Sequence, residues 1–160
     1  MGVLDSASGR SAYLGYEYYK DGKVKDLQRA ENGFLTARVL GSGDNVYDVV
    51  VDTAHPKRSQ CTCPHAAGRQ VVCKHKVAAY FAAFPKEAKR YIKELEEYWA
   101  EEEQRQQEIE DKLDKFVRKM KKSELQEALL GLLYTGPDWQ YDRFVNEYLL
   151  DMDTDDPYNW

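Results

Sequence analysis

Cys61, Cys63, Cys73 and His75 stand within fifteen residues, and the three thiols are the only cysteines of the chain. Their spacing is C-x-C-x9-C-x-H. Two ligand pairs separated by a short loop let a chain wrap once around a zinc ion and fill its tetrahedron with three thiolates and an imidazole. That is the donor set of a structural site, whereas a catalytic zinc keeps one position open for water. A disulfide fits the spacing poorly. Cys61 and Cys63 are too close for an unstrained bridge, and pairing either with Cys73 strands the other thiol. Met1 to Tyr19 has no apolar run after a basic start, so it does not read as a signal peptide. The thiols are therefore expected to be cytoplasmic, reduced and available to metal.

His75 is the better fourth ligand. It opens the stretch Val77-Ala78-Ala79-Tyr80-Phe81-Ala82-Ala83-Phe84, which favours a helix and ends at Pro85. The first turn of that helix would face the metal, and its free N–H groups would stabilise a net-negative zinc–thiolate centre. His65, in the loop after Pro64, reads as a solvated histidine or a hydrogen-bond partner of a ligand, and stays the alternative to His75. His55 reads as a loop residue with no assigned role.

Cys61-Thr62-Cys63-Pro64 followed by Cys73-Lys74-His75-Lys76-Val77-Ala78-Ala79 resembles the SWIM zinc finger, a family defined by C-x-C, a variable spacer and C-x-H. Upstream, Gly22-Lys23-Val24, the segment Leu35 to Ser42 and Tyr47-Asp48-Val49-Val50-Val51 are similar to what precedes the finger in bacterial stand-alone SWIM proteins and at the head of Swi/Snf-type ATPases. The resemblance spans residues 8–93, and His65 departs from the acidic or small residue expected after Cys63-Pro64. It implies zinc binding and contact with DNA or protein, with no enzymatic activity by virtue of this module. A Swi/Snf-type ATPase is the kind of protein partner it suggests.

The elements that must position these ligands are legible around them. Ser11 to Lys20 carries tyrosines at 13, 16, 18 and 19, whose mixed spacing fits a short helix leading into a strand, or a strand alone. Lys20-Asp21-Gly22-Lys23 is a turn. Val24–Gln28, Phe34–Leu40 and Val46–Asp52 cluster β-branched and aromatic residues between glycine-rich turns, and Gly41 to Asn45 closes a hairpin. A small antiparallel sheet leading directly into the finger is expected. The first cysteine pair would lie at a strand end and Arg69 to Val72 on a short returning strand.

Pro85 suits a first helical turn. From Lys86 to Met120 no glycine or proline interrupts an apolar series at Ile92, Leu95, Trp99, Ile109, Leu113, Phe116, Val117 and Met120. Ala100 to Glu108 between them is almost wholly polar, which predicts an exposed bridging stretch or a break between two helices. The discontinuous heptads argue against a coiled-coil dimer. Ser123-Glu124-Leu125-Gln126 has the form of a capping box opening a helix. Thr135-Gly136-Pro137 ends it, and a last helix over 138–150 would complete a helical hairpin whose Trp139, Phe144 and Tyr148 could dock a partner. Asp151 to Asp156 reads as an acidic tail.

The expected fold is thus α+β: a small antiparallel sheet with a SWIM-like ββα finger, a long helix and a C-terminal helical hairpin. The boundaries expected are 1–84, 85–150 and a tail at 151–160. With 160 residues the chain can bury one modest core, and no stretch approaches a membrane span.

The net charge of −5 is unevenly placed. Residues 53–93 hold nine basic residues against one acidic, whereas residues 94–160 hold 19 acidic against eight basic. A basic finger on an acidic arm suits phosphate contact, and Lys57, Arg58, Arg69, Lys74 and Lys76 are the candidate contacts with DNA or RNA, DNA favoured. The alternative is a protein–protein adaptor with a purely structural zinc. No phosphate loop, nucleophile elbow or H-E-x-x-H helix appears, so no small-molecule substrate is implied. A zinc hydrolase would need one of the four positions left open, which makes it a distant third reading.

Overall fold

The computed structural model describes residues 2–30 and 32–150, so the proposed acidic tail lies outside the described residues. The chain divides into two compact units, Met1–Ala100 and Glu101–Trp160. The division falls inside the long helix rather than at residue 84, because the first turns of that helix belong to the first unit's core. Ala88 is fully buried there and the ring of Tyr91 lies 5.3 Å from that of Phe81.

In the first unit, helix α1 (Gly9–Lys20) is followed by an antiparallel meander of β1 (Val24–Arg29), β2 (Phe34–Leu40), β3 (Val46–Asp52) and the short β4 (Gln60–Cys61), in the order β1-β2-β3-β4. Ser8 caps α1 by accepting the Ser11 N–H, which settles the choice between helix and strand for the tyrosine-rich segment. β2 alternates perfectly between exposed and buried positions, sending Leu35, Ala37 and Val39 inward. They face Val51, Val49 and Tyr47 of β3 across the register. Between Lys25 and Gln28 the pairing of β1 with β2 shifts register. Asp26 stands there at φ 51°, a left-handed conformation that aspartate tolerates, and its carboxylate accepts from Arg38.

Helix α2 (Lys74–Ala83) packs on one face of β1 to β3, and α1 packs on α2. α2 is buried nearly all round, with His75 through Ala79 and Phe81 all inside, as a helix sandwiched between a sheet and a second helix must be. The two helices approach closely at Gly15. A Cβ added there would lie 2.5 Å from the Val77 Cβ and 2.9 Å from the Lys74 carbonyl oxygen.

The expected returning strand over residues 69–72 does not form. Ala66 and Ala67 both donate to the Cys63 carbonyl, Arg69 donates to Ala66, and Gly68 takes φ 69°. These turns consume the segment, and only Val72 makes a bridge, parallel to Ala7.

α3 runs from Pro85 to Val117 without a break. Its polar stretch stays helical because it is laced with local pairs: Arg105 with Glu102, Gln104 with Glu108, Gln106 with Glu110 and Gln107 with Asp111. Each such pair contributes roughly 0.2–0.5 kcal/mol. In the second unit, α4 spans Lys122–Thr135 and α5 Asp138–Val145, continued by a wider π turn over Asn146–Leu150. The capping box sits two residues before the expected one. The Glu124 carboxylate reaches back to the Lys121 N–H at 2.7 Å, so Lys121 is the cap and Ser123 is already helical.

Gly15→Ala should destabilise the first unit by about 1–3 kcal/mol, since the added methyl has no room between two packed helices. Thermal unfolding of the zinc-loaded protein checks this, and an unchanged midpoint would show that α1 can shift on α2.

Candidate metal centre

Cys61 enters the site from the sheet. β4 pairs antiparallel with β3 through Val49↔Cys61 and Val50↔Gln60. The knuckle that follows is locked twice, by Thr62 N–H to the Asp48 carbonyl at 3.1 Å and by Asp48 N–H to the Thr62 hydroxyl at 3.0 Å. Cys63 closes the knuckle, its carbonyl accepting from the N–H groups of Ala66 and Ala67. On the other side Cys73 is the N-cap residue of α2, and His75 lies in that helix's first turn. One strand end and one helix start therefore bring the two ligand pairs together.

The result is a cluster of Cys61, Cys63, Cys73 and His75 whose ligand atoms all lie within 4.8 Å of one another. All four are buried, at 5, 2, 1 and 4 % exposure. The Cys61 Sγ stands 3.7 Å from His75 Nδ1. Tetrahedral zinc, with bonds of about 2.3 Å to sulfur and 2.0 Å to nitrogen, needs ligand edges of roughly 3.6 Å. The donor set and its spread fit zinc, and Nδ1 is the imidazole atom that faces the thiols. The His75 ring is held by Tyr47 at 4.6 Å and edge-on by Tyr18 at 5.3 Å. Its Nε2 is buried without a hydrogen-bond partner among the described residues.

The electrostatics point the same way. The Cys73 thiol is lowered to about 3, chiefly because Cys61 hydrogen-bonds its thiolate, with help from His75 and the N–H groups at the start of α2. Cys61 is driven strongly upward, by that same bond to Cys73 and by burial. Buried thiols this close share protons unless a cation replaces them. Zinc supplies that cation, and with all four positions filled by protein it acts as a cross-link between β4 and α2.

His65 and His55 are exposed and lie outside the cluster. His65 lines a groove beside it with Arg10, Ser11 and Lys74, and His55 sits by the Asp52 carboxylate.

The basic residues singled out for phosphate contact separate into three kinds. Lys57, Arg58 and Arg69 are exposed and line one groove along β4 and the knuckle, with Asp48 and Gln60. Lys74 is half-buried and its ammonium lies 4.4 Å from the centre of the Tyr18 ring, a cation–π contact that tethers it beside the metal site. Lys76 is a correction. It is fully buried, its Nζ donating to the Ser59 and Val71 carbonyls at 2.7 Å each, so it presents nothing to a phosphate. Its sequence signal was its place in an otherwise apolar run, where a lysine belongs to the core or to a break. In the second unit, Trp139, Phe144 and Tyr148 line one groove with Leu129, Leu132 and Leu133.

Cys73→Ser and His75→Ala should each lose the bound zinc, while His65→Ala keeps one zinc per chain. Elemental analysis of the purified variants decides it, and normal zinc in both ligand variants would sink the assignment. Chelation of the wild-type protein should also raise amide exchange over residues 59–75, because metal binding and local folding are coupled there.

No curated protein and no solved structure matches the chain. Residues 47–84 match the SWIM zinc finger family model. The match runs from β3 through α2, so the sheet edge, knuckle and helix that carry Cys61, Cys63, Cys73 and His75 are a zinc-binding SWIM finger.

Proposed function

We propose that the protein is a non-catalytic, zinc-organised nucleic-acid-binding module of the cytoplasm, with DNA favoured, whose contact surface is the groove of Lys57, Arg58 and Arg69. The observation that carries this reading is the convergence of three exposed cations from two separate segments on one groove that runs along the metal-bearing strand. Lys57 and Arg58 come from the 3-10 turn Pro56–Arg58, and Arg69 from the loop between the ligand pairs. A phosphate backbone laid along the groove would meet charge without needing a base-specific contact, which gives weakly sequence-dependent and salt-sensitive binding. Zinc's part is to hold the two sides of the groove in place. Four protein ligands leave no coordination position for an attacking water, which supports a binding role over hydrolysis.

A second reading is favoured by a separate observation. α4 and α5 bury none of their residues, and Trp139 and Tyr148 are 61 and 52 % exposed. An apolar groove of this kind suits a protein partner, making the chain an adaptor; the family resemblance suggests a Swi/Snf-type ATPase for that role.

The test is binding of the zinc-loaded chain to fluorescent duplex and single-stranded DNA and to RNA across a salt series. Binding should weaken steeply with salt. Glu in place of Lys57, Arg58 or Arg69 should each reduce the log–log salt slope by about one. No binding at low salt with zinc present would overturn the nucleic-acid reading and move the assignment to the adaptor.

A further inference from the structure

Lys76 is the one lysine of the first unit with no exposed surface, and among the described residues it has no carboxylate partner. A buried ammonium needs both hydrogen bonds and a compensating charge. Its hydrogen bonds go to two main-chain carbonyls, those of Ser59 and Val71, both at 2.7 Å. Ser59 precedes Cys61 by two residues, and Val71 precedes Cys73 by two. One side chain therefore joins the two approaches to the ligand loop at equivalent places. Its own backbone N–H is a donor to the Cys73 thiolate. Three thiolates and a neutral imidazole leave a zinc centre with a net charge of −1, and the Lys76 ammonium is a buried charge of opposite sign on the same short segment.

We infer that Lys76 is a positioning residue of the zinc centre: it clamps the chain ahead of both ligand pairs and neutralises the zinc–thiolate charge. The clamp and the metal then stabilise each other, since any effect of Lys76 on zinc affinity has an equal reciprocal effect of zinc on the Lys76 clamp. Groups that orient metal ligands from outside commonly change affinity about 10–100-fold when removed. Lys76 belongs in that range, because its loss frees two carbonyls at once and removes a buried charge opposite in sign to that of the centre.

The experiment uses the full chain. Zinc affinity is measured by competition with a chromophoric chelator for wild type, Lys76→Met and, as an exposed control, Lys89→Met. Cobalt substitution follows the ligand set by its thiolate charge-transfer band. Lys76→Met should weaken zinc about 10–100-fold while the tetrahedral cobalt spectrum persists, and Lys89→Met should stay within about twofold. Zinc affinity unchanged in Lys76→Met would overturn the inference. A second measurement needs no variant, in case Lys76→Met does not fold: amine acylation of the wild-type protein read by mass spectrometry. Lys76 should resist labelling in the zinc-loaded protein and become reactive once zinc is chelated, with Lys89 labelled equally in both states. Equal protection of Lys76 with and without zinc would show that the clamp is independent of the metal and overturn the proposal.

Discussion

Three thiols buried within a few ångströms of one another cannot all ionise unless a cation takes the place of their protons, and that is the constraint on which the finger depends. A divalent cation meets that constraint only where the chain can hold strand and helix together for the ion to bridge. Each end of the site is built to make that possible. β4 is only two residues long, yet its pairing with β3 and the paired bonds between Asp48 and Thr62 fix the direction in which Cys61 and Cys63 point. At the other end the N–H groups opening α2 face the Cys73 thiolate, so the helix terminus offsets part of the charge before the metal does.

The polar loop between the ligand pairs could not be held by burial alone. Of residues 64–70 only Ala66 is buried, and the rest lie on the surface. Hydrophobic stabilisation at roughly 25 cal/mol per Å² has almost no area to act on there. The loop is held instead by directional bonds: the turn on the Cys63 carbonyl, the Lys76 ammonium on Ser59 and Val71, and the metal. This division of labour explains why Arg69 and the polar residues around it are free to face solvent while the cysteines at the loop's ends are not.

Much of this was legible in the chain, and the residues that were not have a common cause. The spacing of Cys61, Cys63, Cys73 and His75 reports the metal site because coordination imposes a local geometry that spacing encodes. The alternation in Phe34–Leu40 reports the strand because the pleat has period two. Lys76 misled because residue type predicts exposure only on average, and a helix packed on two sides has no outward face for a lysine to occupy. The lost strand over residues 69–72 had the right residue types, but the turns on the Cys63 and Ala66 carbonyls carry the chain out of strand geometry and Val72 bridges to Ala7 instead. Both errors come from contacts that residue type alone does not carry.

The two units rest on different kinds of stability. The first has a core of valines, alanines and Phe81 closed by a sheet, two helices and the metal. In the second, α4 and α5 bury no residue, while Leu132, Tyr134 and Trp139 stand more than half exposed. Isolated helices of that length are marginal in water even with caps and i,i+4 pairs, and most helical stability comes from covering an apolar face. The groove between α4 and α5 covers only part of theirs. This unit is stabilised by local pairs along α3 and by the Glu124 cap, and it carries apolar side chains in excess of what it buries. That is the physical reason the adaptor reading stands beside the nucleic-acid one: the finger presents charge on a metal-fixed frame, and the helical unit presents apolar surface on a frame its own packing completes only in part.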